Sequence, residues 1–228
     1  MRCKNCKEKF EAKYFNQKFC MEKDECIKAF SNQVQEDKEK AKQKKWNKEK
    51  TEKLPDLYPK KYKNFLQVEI NKLSKMIDKK FGFVTCIDCG KDFGKQTDAG
   101  HFNSCGSNPT IRYNLHNVHS QNSKCNQFDG GRRLEYYRGL VTRYGQKYAD
   151  YVDTGLQKEF TYIGLSNQEV AEKLKVVRKI VRDFDTFKFT SSLNARIQLN
   201  NLIGIYPVTK GEIDFIENRD DHALNEVF

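Results

Sequence analysis

The eight cysteines of this chain fall into two groups along the sequence, one between Cys3 and Cys26 and the other between Cys86 and Cys125. Each group contains a Cys-x-x-Cys pair, the spacing at which two thiolates commonly bind one metal ion. Only 37% of the 228 residues are hydrophobic and 32% are charged, which leaves too little apolar surface for one large core. The sequence therefore predicts small domains that are stabilised by metal ions and joined by polar helices.

The first cysteine group defines a predicted unit of residues 1–30. Aromatic residues such as Phe10 and Phe19 lie between its cysteines and can supply a small core. Zinc binding provides much of the folding energy of a unit this small, so a structural zinc ion is predicted, with disulfide pairing as the alternative. The four predicted ligands are Cys3, Cys6, Cys20 and Cys26.

The net charge of the chain is +11, which predicts a polyanionic partner, because lysine and arginine release condensed counterions when they bind phosphate. A basic protein without such a partner is the alternative. No stretch approaches the roughly 18 apolar residues of a membrane span, and the first residues carry no apolar signal region. We therefore expect no membrane partner and a reducing, cytosolic location, where paired cysteines favour metal over disulfides.

Residues 31–80 predict two helices of different character. Residues 31–53 are almost all charged or amide-bearing, and we interpret them as a solvent-exposed polar spacer, with lysine contacts to nucleic acid as the alternative. Pro55 and Pro59 predict a linker. In the second helix, over residues 60–80, apolar residues repeat at spacings of four, three and four, which predicts one buried face. These residues are Leu66, Ile70, Leu73 and Ile77.

Residues 132–185 predict a basic helical region that Gly145 divides. One amphipathic helix of this region is expected to begin at Ser166, with Glu169 completing a capping box. The repeated spacings of four and three on its apolar side permit a helix hairpin or a homodimer. The tail, residues 186–228, has a net charge of −2 and is expected to be partly disordered.

The central segment, residues 81–131, combines the second cysteine group with Asp98, His101 and Asn126. Hydrolysis of a phosphodiester needs an activated water, stabilisation of charge on the phosphate and help for the departing oxygen. A histidine can act as the base, and oxygen ligands from Asp and Asn suit a hard cation such as Mg²⁺ or Mn²⁺. Because Asn126 directly follows Cys125, a zinc knuckle that includes this cysteine would bring the asparagine close to the Asp and the His.

This pattern resembles the HNH, or ββα-metal, endonucleases, and within them the NinG family of lambdoid phages, also called Rap recombination endonucleases. The likeness covers roughly residues 1–185 and is carried by Arg2-Cys3-Lys4, Cys6, Phe15-Asn16-Gln17, Phe19-Cys20, Cys86, Cys89, Asp98-Ala99-Gly100-His101, Arg112, Asn114, Asn117, His119, Gln121, Cys125-Asn126-Gln127, Tyr137, Arg143 and Gly145-Gln146. It implies an α+β fold, with a zinc-stapled ββα-metal (HNH-like) core, an N-terminal zinc-binding unit and flanking basic amphipathic helices.

The resemblance implies a structure-specific DNA endonuclease of phage recombination. Such an enzyme would act in the cytoplasm of the bacterial host on branched DNA, such as Holliday junctions and D-loops, and symmetric cutting would favour a homodimer. His101 is then the general base, Asp98 and Asn126 bind a catalytic Mg²⁺ or Mn²⁺ ion, and His119 is either catalytic or supporting. Four arginines are the candidate DNA contacts: Arg112, Arg132, Arg133 and Arg143.

The chain departs from the family pattern in two places. In many HNH proteins an Asp immediately precedes the base, whereas here Gly100 does and Asp98 lies three residues before His101. The family usually has a second Cys-x-x-Cys pair, but Asn122 stands three residues before the last cysteine, and an amide is a poor zinc ligand. The expected ligands of the core zinc ion are therefore Cys86, Cys89, Cys125 and, as the first candidate for the fourth, Cys105, with His119 as the second candidate.

Two other functions fit parts of this sequence. A non-catalytic zinc protein that binds nucleic acid, such as a recombination accessory factor, would share the basic surface and both cysteine groups. It would not need the combination of Asp98, His101 and Asn126. A protein–protein adaptor that uses the apolar helix faces is a third possibility, and its binding would be insensitive to salt, whereas phosphate contacts weaken steeply as salt is added.

Overall fold

The computed structural model describes residues 1–93, 96–128 and 132–207. The chain divides into two structural units, one from Met1 to Leu57 and the other beginning at Tyr58. Of the tail predicted from the sequence, residues 208–228 lie outside the described residues. Within the described residues, no helix has both the length and the apolar character needed to cross a membrane.

The first unit consists of a cysteine-rich segment followed by one long helix, α1 (Asp24–Leu57). Phe10 and Phe19 are buried together with three of the cysteines, so the aromatic residues do form a small core. The predicted linker is shorter than expected, because α1 continues through Pro55 to Leu57. Pro59 instead begins the next helix, where a residue without an N–H group loses no intrahelical hydrogen bond.

The second unit is built on α2 (Pro59–Lys80), whose predicted apolar face is confirmed. All four residues of that face are fully buried: Leu66, Ile70, Leu73 and Ile77. They lie in a core to which the later helices and the loop before β2 also contribute. Three polar residues of α2 are buried beside this face, namely Gln67, Ser74 and Asp78, and all three contact the sheet.

The sheet has two antiparallel strands, β1 (Thr97–His101) and β2 (Val118–Asn122). Gly100 pairs with His119, and a Cβ atom at Gly100 would lie 1.7 Å from the side-chain oxygen of Gln121. Only glycine fits at this position without displacing Gln121. The helix α3 (Ser123–Phe128) follows β2 directly, so the segment has the order strand, strand, helix.

The remaining helices surround this sheet and α2. They are α4 (Arg133–Tyr144), α5 (Gln146–Asp150), α6 (Leu156–Glu159), α7 (Asn167–Arg182) and α8 (Ser192–Ile203), with a π-helical turn at Tyr151–Gly155 and short 3₁₀ turns at Pro109–Ile111, Leu115–Asn117 and Phe184–Thr186. Gly145 separates α4 from α5 with a φ of 89°, a value that favours glycine, so the predicted division is confirmed. The capping box of α7 is also confirmed, since Ser166 and Glu169 make both of its hydrogen bonds.

Helix α8 lies in the part of the chain that the sequence assigned to the tail. It packs against α2 and α7, and Leu199 and Ile203 are buried. Arg196 reaches from α8 to the carboxylate of Asp78 on α2, and neither side chain is exposed to solvent. The described part of the tail is therefore a component of the core.

Candidate metal centres and candidate active site

The four cysteines of the first unit come together as predicted, with all four sulfur atoms within 4.8 Å of one another. The Sγ atoms of Cys3 and Cys26 are 3.7 Å apart, and those of Cys6 and Cys20 are 3.9 Å apart. Tetrahedral coordination with zinc–sulfur bonds of about 2.3 Å requires sulfur–sulfur distances of about 3.8 Å. No disulfide joins them, so the donor set and its spacing fit a zinc-like ion.

A second candidate metal centre lies at the end of the sheet where β1 begins and β2 ends. Three of the predicted ligands, Cys86, Cys89 and Cys125, meet there, and the fourth group is Asp88. The Oδ1 atom of Asp88 is 2.5 Å from the Cys86 sulfur, and its Oδ2 atom accepts a hydrogen bond of 2.8 Å from Gln121. Burial and the contact with Asp88 raise the pKa of the Cys86 thiol to about 12, and a bound cation would reverse that effect.

Cys105, the first candidate for the fourth ligand, does not join this centre. Its sulfur lies 3.8 Å from the side-chain oxygen of Gln67. The reason is topological, because Cys105 follows the C-terminal end of β1, whereas the centre lies at the opposite end of the sheet. Four residues of strand separate these ends by about 13 Å. Asn122 is not a ligand either, since its side-chain oxygen accepts from the backbone N–H of Lys124.

Substitution of Asp88 tests its place in the second centre. We expect Asp88→Ala to weaken zinc binding at this centre at least about tenfold, because one of four ligands is lost, and Asp88→Cys to retain the ion. Competition between the protein and a metallochromic chelator measures the affinity. Asp92→Ala is the matched control, since Asp92 is an exposed acid in the same loop and lies outside the cluster. Equal affinities for Asp88→Ala and Asp92→Ala would contradict the assignment.

The candidate active site is a polar cavity of about 580 Å³. His101 and Asn126 line it together, as do Phe102, Asn103, Arg133 and Gln157. The Nε2 atom of His101 lies 3.0 Å from Gln67 Nε2 and 3.1 Å from the carbonyl oxygen of Arg112. Among the described residues Nδ1 makes no hydrogen bond, so it is the ring nitrogen that remains for a substrate.

The environment of His101 favours the neutral imidazole. Burial lowers the pKa of His101 to about 4; the hydrogen bond to the Arg112 carbonyl acts in the opposite direction, and the Arg112 charge adds to the lowering. At pH 7 the ring is therefore uncharged and able to accept a proton. Approach of an anionic phosphate would raise this pKa toward the range in which a base is effective.

Asp98 is held against Asn126 and does not line the cavity. Its Oδ2 atom accepts hydrogen bonds from Asn126 Nδ2 at 3.2 Å and from Gln127 Nε2 at 3.1 Å. Burial acts to raise the pKa of Asp98, but these bonds outweigh it and the pKa is lowered. Because a carboxylate only accepts, the amide nitrogen of Asn126 faces Asp98, and its oxygen is left for another donor or a cation.

His119 is fully buried and does not line the cavity, so its surroundings favour the supporting role of the two that the sequence left open. Its Nδ1 atom lies 3.1 Å from the Tyr136 hydroxyl, and that hydroxyl donates to the Gly100 carbonyl at 2.9 Å. Burial lowers the pKa of His119 well below its usual value. The residue therefore fixes β1 next to His101 without contacting the cavity.

The four predicted DNA-contacting arginines have different surroundings. Arg133 lines the cavity, stacks 4.3 Å from the Phe102 ring and pairs with Asp153. Arg112 donates to Gln67 at 3.0 Å beside His101. Arg112, Arg132 and Arg143 do not line the cavity. Arg132 lies 3.9 Å from Glu135, and Arg143 donates to the Thr85 carbonyl and stacks on Phe83.

Several residues of the site were not predicted from the sequence. They are Gln67, Asn103 and Gln157. Gln67 of α2 contacts His101. Asn103, which follows β1, donates its backbone N–H to the Asn117 side chain and accepts a hydrogen bond from Gln157 of α6. One signal for Gln67 was available, because Gln67, Ser74 and Asp78 recur at spacings of seven and four beside the apolar face of α2. No comparable local signal identifies Asn103 or Gln157.

Comparisons with a protein-family model and with curated proteins both identify NinG proteins as similar to this chain. The model of a protein family described as "Bacteriophage Lambda NinG protein" matches residues 1–185. The protein ninG of Escherichia phage lambda is 36% identical over 69 residues, which is 30% of this chain and 34% of that protein. The ninG proteins of Escherichia phage 933W and Salmonella phage P22 are 35% and 33% identical over the same lengths, so each alignment spans about a third of the relative. No solved structure matches this chain.

Proposed function

The chain belongs to the NinG family of bacteriophage lambda, and from this premise we propose that it is a metal-dependent endonuclease that cuts branched DNA. The observation that carries the proposal is the meeting of His101 and Asn126 in one polar cavity. The order of β1, β2 and α3, with Asn126 directly after a cysteine of the metal centre, supports an HNH-like site. The net charge of +11 suits a DNA substrate.

In the proposed mechanism His101 accepts a proton from the attacking water through Nδ1. The mechanism uses the tautomer with the proton at Nε2, which donates to the Arg112 carbonyl. In that tautomer the amide nitrogen of Gln67 beside Nε2 donates to Asn71. The neutral ring at pH 7 is the form that the step requires. Gln67, which contacts both His101 and the Arg112 side chain, holds the base in place.

Asn126 and Asp98 are the residues that would hold a catalytic Mg²⁺ or Mn²⁺ ion, and both offer the oxygen atoms such hard cations prefer. The ion would stabilise charge on the phosphate and on the departing oxygen. Asp98 lies three residues before His101, so the two side chains are on opposite faces of β1. An Asp directly before His101 would also lie on that opposite face. Asp98 is about 6.6 Å further along the strand than that position. The hydrogen bond from Asn126 to Asp98 spans part of that offset and orients the amide oxygen.

Arg133 is the proposed phosphate contact at the cavity. Its guanidinium is held between the Phe102 ring and Asp153, so it is positioned before DNA binds. A homodimer is proposed for the cutting of four-way junctions, because two opposed strands must be cut.

A cleavage assay tests the proposed function. The zinc-loaded protein is incubated with four-way, three-way and linear duplex DNA of equal length, with Mg²⁺, with Mn²⁺ or with neither ion. We expect cuts near the branch in the first two substrates, dependent on the added ion, and little cutting of the linear duplex. Mapping of labelled strands on a denaturing gel identifies the cut positions.

The alternative function is that of a zinc protein that binds nucleic acid without cutting it. Tight binding of the branched substrates with no cleavage under either ion would favour that alternative. Equal cleavage of branched and linear DNA would support an endonuclease activity but would contradict the proposed specificity for branches.

A further inference from the structure

The long helix α1 presents a surface that the proposed active site does not use. Every residue from Gln35 to Lys53 is exposed, and this stretch extends for about 29 Å at 1.5 Å per residue. It has no apolar stripe, so it is not built for packing against another helix. Trp46, the one tryptophan of the chain, lies in its middle with 54% of its surface exposed.

The charges around Trp46 are strongly basic. Between residues 38 and 53 there are eight lysines and three glutamates. Lys42, Lys50 and Lys53 are spaced four, four and seven residues from Trp46, so these three lysines and the indole ring share one face of the helix. Glu39 and Glu49, seven and three residues from Trp46, lie on the same face, so its lysines outnumber its acids by one. Lys50 Nζ lies 5.0 Å from the centre of the Trp46 ring, and the contact keeps the ammonium beside the aromatic surface.

An exposed aromatic ring flanked by lysines has the two features that bind unpaired nucleotides. The ring offers a flat face on which a base can stack, and lysines at neighbouring turns neutralise the adjoining phosphates. A second copy of this chain is a poorer fit, because Trp46 is the one large apolar residue of this face and a helix pair needs an apolar stripe. An acidic protein would pair with the lysines but would not need the tryptophan.

We propose that this face of α1, formed by Lys42, Trp46, Lys50 and Lys53 and here called the Trp46 face, is a docking surface for unpaired DNA strands. It deepens the proposed function, because it rests on a DNA partner, but it does not require that the protein cut DNA. Branched substrates expose unstacked bases near the junction, and the Trp46 face would hold one of these unpaired strands.

The single tryptophan allows a direct test. The fluorescence of Trp46 is titrated with a thymidine homopolymer and with a linear duplex of equal length, without added divalent ions so that no cleavage occurs. We expect the single strand to quench Trp46 emission at saturation, because a stacked base is in contact with the ring, and the duplex to quench it much less. Equal quenching by both DNAs, or none by either, would overturn the proposal.

Substitutions on the two sides of α1 separate docking from general attraction. We expect Trp46→Ala to weaken single-strand binding by about 5- to 150-fold, the range found for loss of one stacked base. The triple variant Lys42→Gln/Lys50→Gln/Lys53→Gln should reduce the slope of log affinity against log salt by about 2. The matched control is Lys40→Gln/Lys44→Gln/Lys48→Gln, which removes the same charge from the opposite face.

Equal slopes for the two triple variants would show that the Trp46 face has no special part and would reject the proposal. The result is independent of catalysis. Quenching and the Trp46→Ala loss without any DNA cleavage would support docking while the proposed nuclease activity fails. Branch cleavage with unchanged affinity of Trp46→Ala would reject docking while the nuclease stands.

Discussion

Replacement of His101 by alanine is expected to lower the rate of DNA cleavage by about 10²–10⁴-fold, the usual contribution of a general base. The loss follows from the position of the ring, which lines the cavity beside Asn126 and is neutral at pH 7 because burial lowers its pKa to about 4. The rate is measured under single-turnover conditions with a four-way junction. Affinity for the junction, measured by anisotropy, should change by less than the rate does.

Two further measurements distinguish a base from a structural residue at His101. His101→Gln keeps an amide that can donate to the Arg112 carbonyl but cannot take a proton from water, so it should be as slow as His101→Ala. Added imidazole should restore part of the activity of His101→Ala and none of that of an Asn126→Ala variant. If His101→Gln cut DNA at the parent's rate, the assignment of the base would fall.

Replacement of Arg196 by methionine is expected to destabilise the second unit by about 3–5 kcal/mol, because it leaves the buried Asp78 carboxylate without its cation. Neither side chain of the pair is exposed, and the Arg196 guanidinium also donates to the backbone carbonyls of Leu115 and Val118. Asp78 accepts in turn from the backbone N–H of Ser120 at 2.6 Å. One variant therefore disturbs α2, α8 and β2 together.

Urea unfolding followed by circular dichroism measures this change, since the only tryptophan lies in the other unit. Arg178→Met is the matched control, because Arg178 pairs with Glu69 of α2 at 3.1 Å but is 53% exposed. An exposed pair contributes at most about 1 kcal/mol. The double variant Asp78→Leu/Arg196→Met should recover much of the lost stability, since no buried charge remains unpaired. Similar losses for Arg196→Met and Arg178→Met would contradict the role given to the buried pair.

The elements of the fold that depend on residues close in sequence could be predicted from local patterns. The apolar face of α2 was readable because its residues repeat with the helix period, and the capping box of α7 because Ser166 and Glu169 are three residues apart. The end of α1 was misplaced, because Pro55 removes one backbone hydrogen bond of the helix without ending it. Helix α8 was missed as a core element, since its buried arginine reads as a surface residue in the sequence.

In the candidate site too, residues with a local sequence signal were predicted and residues that depend on tertiary contacts were not. His101 and Asn126 were identified from residue type and from the position of Asn126 after a cysteine, and the cavity contains both. The sequence left both roles of His119 open, because a histidine in a strand has no sequence feature that separates a catalytic ring from one buried under Tyr136. Gln157 was not found because it approaches the cavity from a helix 54 residues after the Asn103 to which it donates.

By itself the sequence determined the two cysteine groups, because ligands close in sequence need little tertiary structure to meet. Five of the eight cysteines form Cys-x-x-Cys pairs or directly precede Asn126. Only the tertiary structure decided which group completes the second centre. Asp88 does so because it lies inside the knuckle, between Cys86 and Cys89, at the end of the sheet where Cys125 also lies. Cys105 has the better ligand chemistry, but the antiparallel pairing of β1 with β2 places it beyond the opposite end of the sheet. Zinc coordination is short-ranged, so position in the fold outweighs ligand type.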